Sequence, residues 1–237
     1  MNKYLLGTCA LNEGQKIRQV IARFNDYSVY DCLIIDDGSD DGSLDNLPSP
    51  EHIVVIKNTT NKGAGHGVRQ ILKYAQEKGY VAVFFVSGNN KDDPQDVYKL
   101  QKGIEEGFDF VQGSRYLPGG QFGGDIPLYR KMATRLYPFI FSVLTGRKIT
   151  DSTNGFRAVR ISMLEDRRIN LDQPWLERYE MEPYLFYKAV TLGYKVKEVP
   201  VRKIYPKRKH GYTKMRPFSG WWSILRPIIF LSLRIKK

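Results

Sequence analysis

The sequence predicts an α/β fold, a single mainly parallel sheet with helices on both faces. Three observations carry that reading. Short apolar segments alternate with segments of helical period through the first half of the chain. The apolar segments are nearly uninterrupted, as strands are when both of their faces are covered. Each then runs into a polar or glycine-rich stretch, at Leu11–Glu13, Asp36–Asp40, Asn58–Gly65 and Ser87–Asp93. In open sheets of this kind ligands gather beyond the carboxyl ends of the strands.

The elements follow in order. Tyr4–Ala10 reads as a strand, and Glu13–Asn25 as a helix with Ile17, Val20, Ile21 and Phe24 on one stripe. Asp31–Ile35 and Ile53–Lys57 are the next strands. Val68–Glu77 is a helix that turns Val68, Ile71, Leu72 and Ala75 inward, and Val81–Val86 is a strand. The second half is less regular. Phe108–Gly113 reads as a strand before a glycine-rich loop, and Leu128–Leu144 as a helix kinked or interrupted by Pro138. Glu180–Thr191 is a further helix, and Lys195–Ile204 alternates like one edge strand. Residues 1–216 are expected to form one unit, followed by an amphipathic segment at 217–237. There Trp221 and Trp222 precede an apolar stretch ending in Arg234, Lys236 and Lys237. That composition suits a membrane interface, a helix packed on the domain, or the start of a longer membrane segment.

Composition bounds the partners. The 237 residues, 42% hydrophobic, suffice for one large core. A formal charge of +12 calls for an anionic partner, whether nucleotide, nucleic acid or lipid headgroup. Nine basic side chains against one acid, Glu198, crowd residues 194–216 next to the tail, and no nucleic-acid-binding motif accompanies them. Nucleic acid is therefore not an expected partner. Cys9 and Cys32 lie in apolar runs and read as reduced core thiols of a cytosolic protein. The opening run meets polar Asn12 too soon for a signal peptide, and no stretch reaches the ~20 apolar residues of a membrane span.

Two motifs stand out locally. In IIDDGSDDGS (34–43), Asp36 and Asp37 emerge from a buried strand, where a carboxylate can accept hydrogen bonds from a base or a ribose, or can simply belong to a polar turn. In NKGAGHG (61–67) the glycines precede a helix. The spacing is not G-x-G-x-x-G and Ser87, not an acid, ends the next strand, so a dinucleotide site is disfavoured. A glycine turn approaching a nucleotide beside Lys62 is simpler, with His66 at the surface or capping the helix.

Taken in order, LNEG (11–14), IIDDGSDDGS, NKGAGHG, FFVSGNNKDDPQDV (84–97), GSRYLPGG (113–120), DSTNGFRAVR (151–160), MEPYLF (181–186) and RKHGYTKM (208–215) resemble family 2 glycosyltransferases. Within them the chain is similar to the dolichyl-phosphate mannose synthase group and its bacterial polyprenyl-phosphate relatives. The resemblance implies a GT-A fold with a nucleotide-binding N-terminal half, a nucleoside-diphosphate sugar donor, and transfer with inversion. By motif, Leu11, Asn12, Glu13, Asp36 and Asp37 would hold the nucleoside, with Lys62 and Gly63 nearby. Arg115 would approach the diphosphate or sugar, Arg130 and Thr134 would form a basic and hydroxyl pair, and Asp151, residues 155–157 and Glu182 would line the sugar and acceptor side. Arg208 and Lys214 would grip phosphates from a loop.

One stretch departs from the family pattern. Where D-x-D-x-Q usually surrounds Mg²⁺ or Mn²⁺, this chain has Ser87, Asn89 and Lys91. Two readings follow. Either Lys91, Arg115 and Arg208 neutralise the diphosphate without a metal, or Asp92 or Asp93 swings in to hold Mg²⁺ or Mn²⁺, with Asn89 and Asp93 as the expected pair of ligands. Asp92 and Asp93 also read as caps for the turn before Pro94. The expected reaction is sugar transfer to a polyprenyl phosphate on the cytoplasmic face of the membrane. Its alternatives are transfer to a glycan hydroxyl in capsule or lipopolysaccharide synthesis, with Asp151 or Glu182 as base, and an inactive nucleotide-sugar-binding homologue.

Overall fold

The computed structural model describes residues 3–25, 29–47, 51–205 and 217–237. Its centre is a seven-stranded sheet in the order β3-β2-β1-β4-β7-β5-β8. The strands are β1 (Tyr4–Ala10), β2 (Asp31–Asp36), β3 (Ile53–Lys57), β4 (Ala82–Phe85), β5 (Phe110–Ser114), β7 (Arg157–Arg160) and β8 (Val196–Pro200). All pairs are parallel except those that β7 makes with β4 and β5. Because β7 runs against both neighbours, its beginning lies at the same sheet edge as the ends of β4 and β5. That edge therefore collects Leu11, Asp37, Ser87, Arg115 and Asn154 from distant parts of the sequence.

The apolar strands serve two cores, one on each face, as their side-chain alternation dictates. Leu5, Leu33, Ile35, Val83 and Phe85 join one core with helices α2 (Ala64–Glu77), α4 (Leu128–Thr145), α5 (Met181–Thr191) and α6 (Pro217–Ser232). Leu6, Ile34, Phe84 and Ala158 join the other with α1 (Gln15–Asn25) and α3 (Val97–Glu105). Ile228 and Leu231 of α6 are buried in the first core, Tyr137 donates to the Ile224 carbonyl at 2.8 Å, and Arg226 meets Glu180 at 2.5 Å. The C-terminal segment thus shares the core of the residues before it. No helix among the described residues is long and apolar enough to cross a membrane.

Two sequence expectations are corrected here. Residues 195–204 are two strands, not one. The chain leaves the main sheet after β8, and β9 (Arg202–Tyr205) pairs with β6 (Gln121–Gly124) in a separate two-stranded sheet. The proline at 200 and the change of sheet fall together, since proline offers no N–H to continue a ladder. Of the two expectations for Pro138, interruption does not occur: helix α4 continues through it, with the Ser142 hydroxyl donating to the Pro138 carbonyl at 2.7 Å.

Candidate active site

The nucleoside end of the sheet edge is organised by the two aspartates at the end of β2. Asp37 accepts from the backbone N–H of Lys62 (2.9 Å) and Gly63 (2.8 Å) and from the Asn58 amide (3.1 Å). Its oxygens are spent on the loop before α2. Asp36 is fully buried; Oδ1 accepts from Ser39 N–H at 2.8 Å, while Oδ2 makes no hydrogen bond and lies 3.8 Å from the Lys57 ammonium. One buried carboxylate oxygen at the strand end is thereby left without a hydrogen bond, facing the Lys57 ammonium. Asn12, in a left-handed conformation (φ 49), accepts from Asp40 N–H, and its own N–H reaches Ser39 Oγ. Leu11 and Glu13 flank it half-buried, with Glu13 4.0 Å from Lys16.

The glycines of the NKGAGHG segment answer to a different neighbour than expected. A Cβ on Gly63 would lie 2.4 Å from the Glu177 carbonyl oxygen, and one on Gly65 2.1 Å from that of Leu176. Gly63 also has φ 103. The 174–178 turn packs so closely onto the start of α2 that a side chain at either position would meet protein backbone, which accounts for both glycines. His66 and Arg69 complete the contact by meeting Glu177 at 3.2 and 2.6 Å, while the Lys62 side chain is exposed.

On the other flank, Arg115 and Asp151 form a closed pair. Asp151 is fully buried and accepts from Arg115 Nε (2.7 Å), Nη2 (2.8 Å) and backbone N–H (3.1 Å), and from Thr153. Glu198 of β8 fixes the same loop by accepting from the backbone N–H of Thr150 and Asp151. Burial pushes the Glu198 carboxyl up. Arg115 is 4% exposed. In this arrangement the guanidinium is paired with Asp151, and both Asp151 oxygens accept hydrogen bonds. The Thr134 hydroxyl is likewise engaged, by Tyr116 Oη (2.8 Å) and the Arg130 carbonyl (2.9 Å). Glu182, at the first turn of α5, is 33% exposed and lies 3.7 Å from Arg157. Arg157 itself is buried and donates to the Asn154 and Glu182 carbonyls.

The turn after β4 holds the cations. Lys91 is 7% exposed, its ammonium 4.7 Å from the centre of the Tyr205 ring, with the Arg130 guanidinium 5.8 Å from the same ring. Burial and the nearby charges of Lys203 and Arg130 lower the Lys91 ammonium to about 8. A cavity of about 410 Å³ opens beside Lys91, Arg23, Asp93 and Ile204. Lys203, from the inner face of β9, reaches Ser87 Oγ (3.1 Å), Asp92 Oδ1 (2.5 Å) and Asn154 Oδ1 (3.1 Å). The Asp92 carboxylate also accepts from Ser87 N–H, and Asp93 caps the turn at Gln95 while pairing with Arg202 at 2.9 Å.

These residues do not fit a divalent ion. Asp92 is consumed by an ammonium and Asp93 by a guanidinium. The unspent oxygen of the expected set is Asn89 Oδ1, a neutral acceptor, whereas Mg²⁺ seeks carboxylate and phosphate oxygens. No cluster of metal-binding side chains occurs among the described residues. Of the expected pair, Asn89 offers an unpaired neutral oxygen and Asp93 is held by Arg202. Arg208 and Lys214 lie outside the described residues. Sequence reasoning missed Lys203 and Asn154. Lys203 is signalled only by a lysine and a tyrosine alternating with an isoleucine, which becomes informative once the inner face of β9 is known.

The comparisons agree with this edge-centred architecture. The chain is 29% identical over 212 residues to an undecaprenyl-phosphate mannosyltransferase of Micrococcus luteus, covering 86% of this chain and 84% of that protein. It is 29% identical over 188 residues to a polyprenol monophosphomannose synthase of Mycolicibacterium smegmatis, covering 77% and 69%. In fold it is similar to glucosyl-3-phosphoglycerate synthase from Mycobacterium tuberculosis, solved with uridine diphosphate, with a TM-score of 0.64 and 17% identity over 98% of this chain and 79% of that one. The model of glycosyl transferase family 2 matches residues 6–168. The chain therefore belongs to glycosyltransferase family 2, with the α/β, GT-A-like architecture and the enzymatic character of that family.

Proposed function

We propose that this enzyme moves a sugar from a nucleoside diphosphate to a polyprenyl phosphate at a membrane surface. The observation that carries the acceptor is helix α4. Leu128, Met132, Leu136, Phe139 and Val143 recur on one stripe of it and are 58–72% exposed. Contiguous exposed apolar surface of this kind needs a partner. Lys131, Arg135, Arg147 and Lys148 lie on or beside the helix, and Arg234, Lys236 and Lys237 follow α6, which suits anionic headgroups. On α6, Phe218 and Trp222 add exposed aromatic surface. The same helix α4 carries Arg130, which shares the Tyr205 ring with Lys91, on the face opposite the stripe near its N-terminal end.

The chemistry fits that acceptor. A phosphate monoester oxygen, already ionised, attacks the anomeric carbon while the bond to the diphosphate breaks and its electron pair leaves with the nucleoside diphosphate. Lys91 and Arg130 oppose the charge that develops on the leaving group. No general base is required, which accords with Asp151 being occupied by Arg115. A glycan hydroxyl would need a base, and Glu182 would have to supply it. The names of the two relatives support the lipid acceptor. The cytoplasmic face of the membrane is the corresponding site of action. The test compares transfer to undecaprenyl phosphate in anionic liposomes with transfer to free saccharides, for the native protein and for the pair Leu136→Glu, Phe139→Glu. Lipid transfer that exceeds saccharide transfer, and that falls with liposome binding in the variant, is expected. Faster transfer to saccharides, indifferent to the α4 substitutions, would overturn the reading.

A further inference from the structure

The turn after β4 is tied to β9 along its length. Ile204 N–H donates to the Lys91 carbonyl at 3.0 Å, Asp92 and Lys203 form an isolated antiparallel bridge, and Asp93 N–H reaches the Arg202 carbonyl at 3.4 Å. At the centre sits the Lys203 ammonium, 8% exposed on its side chain and surrounded by oxygens from Ser87, Asp92 and Asn154. Three oxygens, two from the turn after β4 and one from the loop before β7, converge on one cation, as ligands do on a metal ion. Here the cation is covalently part of the chain.

We propose that Lys203 is a built-in cation that takes the place of a divalent ion at the diphosphate end of the site, locking the turn that presents Lys91 so that donor nucleotide binds without metal. This rests on the donor being a nucleoside diphosphate sugar. Charge accounting supports the exchange. A divalent ion held by two carboxylates is locally neutral before the donor arrives. Two lysines against Asp92 keep a net positive charge at the same strand end, which favours an anionic diphosphate. Lys203 also removes the carboxylate that a divalent ion would need, so lysine and metal compete for one oxygen set. Lys203 is a positioning residue, acting through Asp92, Ser87 and the lysine at 91. Asn154 belongs with it, because its amide also donates to the Gly113 carbonyl at 3.0 Å and so fixes the end of β5 to the same ammonium.

The experiment titrates MnCl₂ into the protein, following free Mn²⁺ by electron paramagnetic resonance, and separately titrates UDP, GDP, dTDP and CDP by calorimetry in EDTA and in MnCl₂. The native protein is expected to show no stoichiometric Mn²⁺ site, and its nucleotide affinity should be the same within twofold in both buffers. Lys203→Ala, which releases Asp92, should lose tenfold or more in nucleotide affinity in EDTA, gain a Mn²⁺ site, and recover part of the affinity with Mn²⁺. A structural role alone would not create that metal dependence. A stoichiometric Mn²⁺ site in the native protein, nucleotide binding by the native protein that requires Mn²⁺, or a folded Lys203→Ala that matches the native protein in both buffers would overturn the proposal. The native titration decides the matter even where the variant does not fold. Absence of UDP, GDP, dTDP and CDP binding in every buffer would instead remove the donor reading, while the Mn²⁺ titration would still decide the lysine.

Discussion

Replacing Lys91 with methionine should make the protein more stable at neutral pH and worse at binding nucleotide. Lys91 is buried at 7% exposure with its ammonium lowered from 10.5 to about 8, chiefly by burial and then by Lys203 and Arg130. An unfolded chain holds that proton up to the ordinary lysine range, so between pH 8 and 10.5 the unfolded state binds more protons and stability rises with pH. Below pH 8 the charged side chain costs the fold about 3 kcal/mol, from 1.36 kcal/mol per pKa unit. The contact with the Tyr205 ring offsets roughly 1 kcal/mol of what methionine would gain. A net gain of about 2 kcal/mol corresponds to a Tm higher by about 4–8 °C in a domain of this size. The gap between variant and native protein should narrow by about 1 kcal/mol between pH 7 and pH 9, as the native lysine sheds its proton. Cys9 and Cys32 have thiols raised by burial, so they lower stability above pH 9 in both proteins and cancel in the difference. Paired urea melts at pH 7 and 9, with UDP and GDP titrations alongside, measure all of this. A Lys91→Met protein that is less stable than native at pH 7, or one that binds nucleotide equally well, would refute the claim that this lysine is held charged for the ligand.

Two further outcomes follow from the packing. Asp151→Asn or Arg115→Ala, each leaving one buried charge without its partner, should cost about 3–5 kcal/mol by urea melt, whereas Arg115→Met with Asp151→Leu should cost much less; equal losses would show that Arg115 acts on something other than Asp151. Gly65→Ala should destabilise by about 1–3 kcal/mol or more through collision with the Leu176 carbonyl; an unchanged melt with weakened nucleotide binding would return this glycine to the ligand.

The sheet was legible because its strands are apolar and its helices amphipathic. Tyr4–Ala10 matches β1 residue for residue, since burial on both faces leaves little freedom in where such a run can sit, and Ile53–Lys57 matches β3, an edge strand whose Val54 and Val55 are exposed, through its β-branched run alone. The separation of β8 from β9 was not legible, because a strand that changes sheets keeps its alternation. The site divides in the same way. Asp36 and Asp37 could be placed at a strand end from their own neighbourhood. Their different roles, one with an oxygen unspent and one spent on the loop before α2, depend on Lys62 and Gly63 as backbone donors, which side-chain reading does not reveal. Lys203 lies 111 residues from the aspartate it meets, and the pairing of Arg115 with Asp151 spans 36. Only the sheet order brings such residues together, and it makes Arg115 and Asp151 partners of each other.

Mass spectrometry of the butanol-extractable product gives the most direct test of the whole account. Native protein would be incubated with undecaprenyl phosphate in anionic liposomes and a panel of UDP-, GDP-, dTDP- and CDP-sugars, in excess EDTA. The expected product is a lipid carrying a single sugar on its phosphate, formed together with an equal amount of nucleoside diphosphate. A sugar found only on water-soluble saccharides, or a lipid product that forms only after Mn²⁺ or Mg²⁺ is restored, would contradict it.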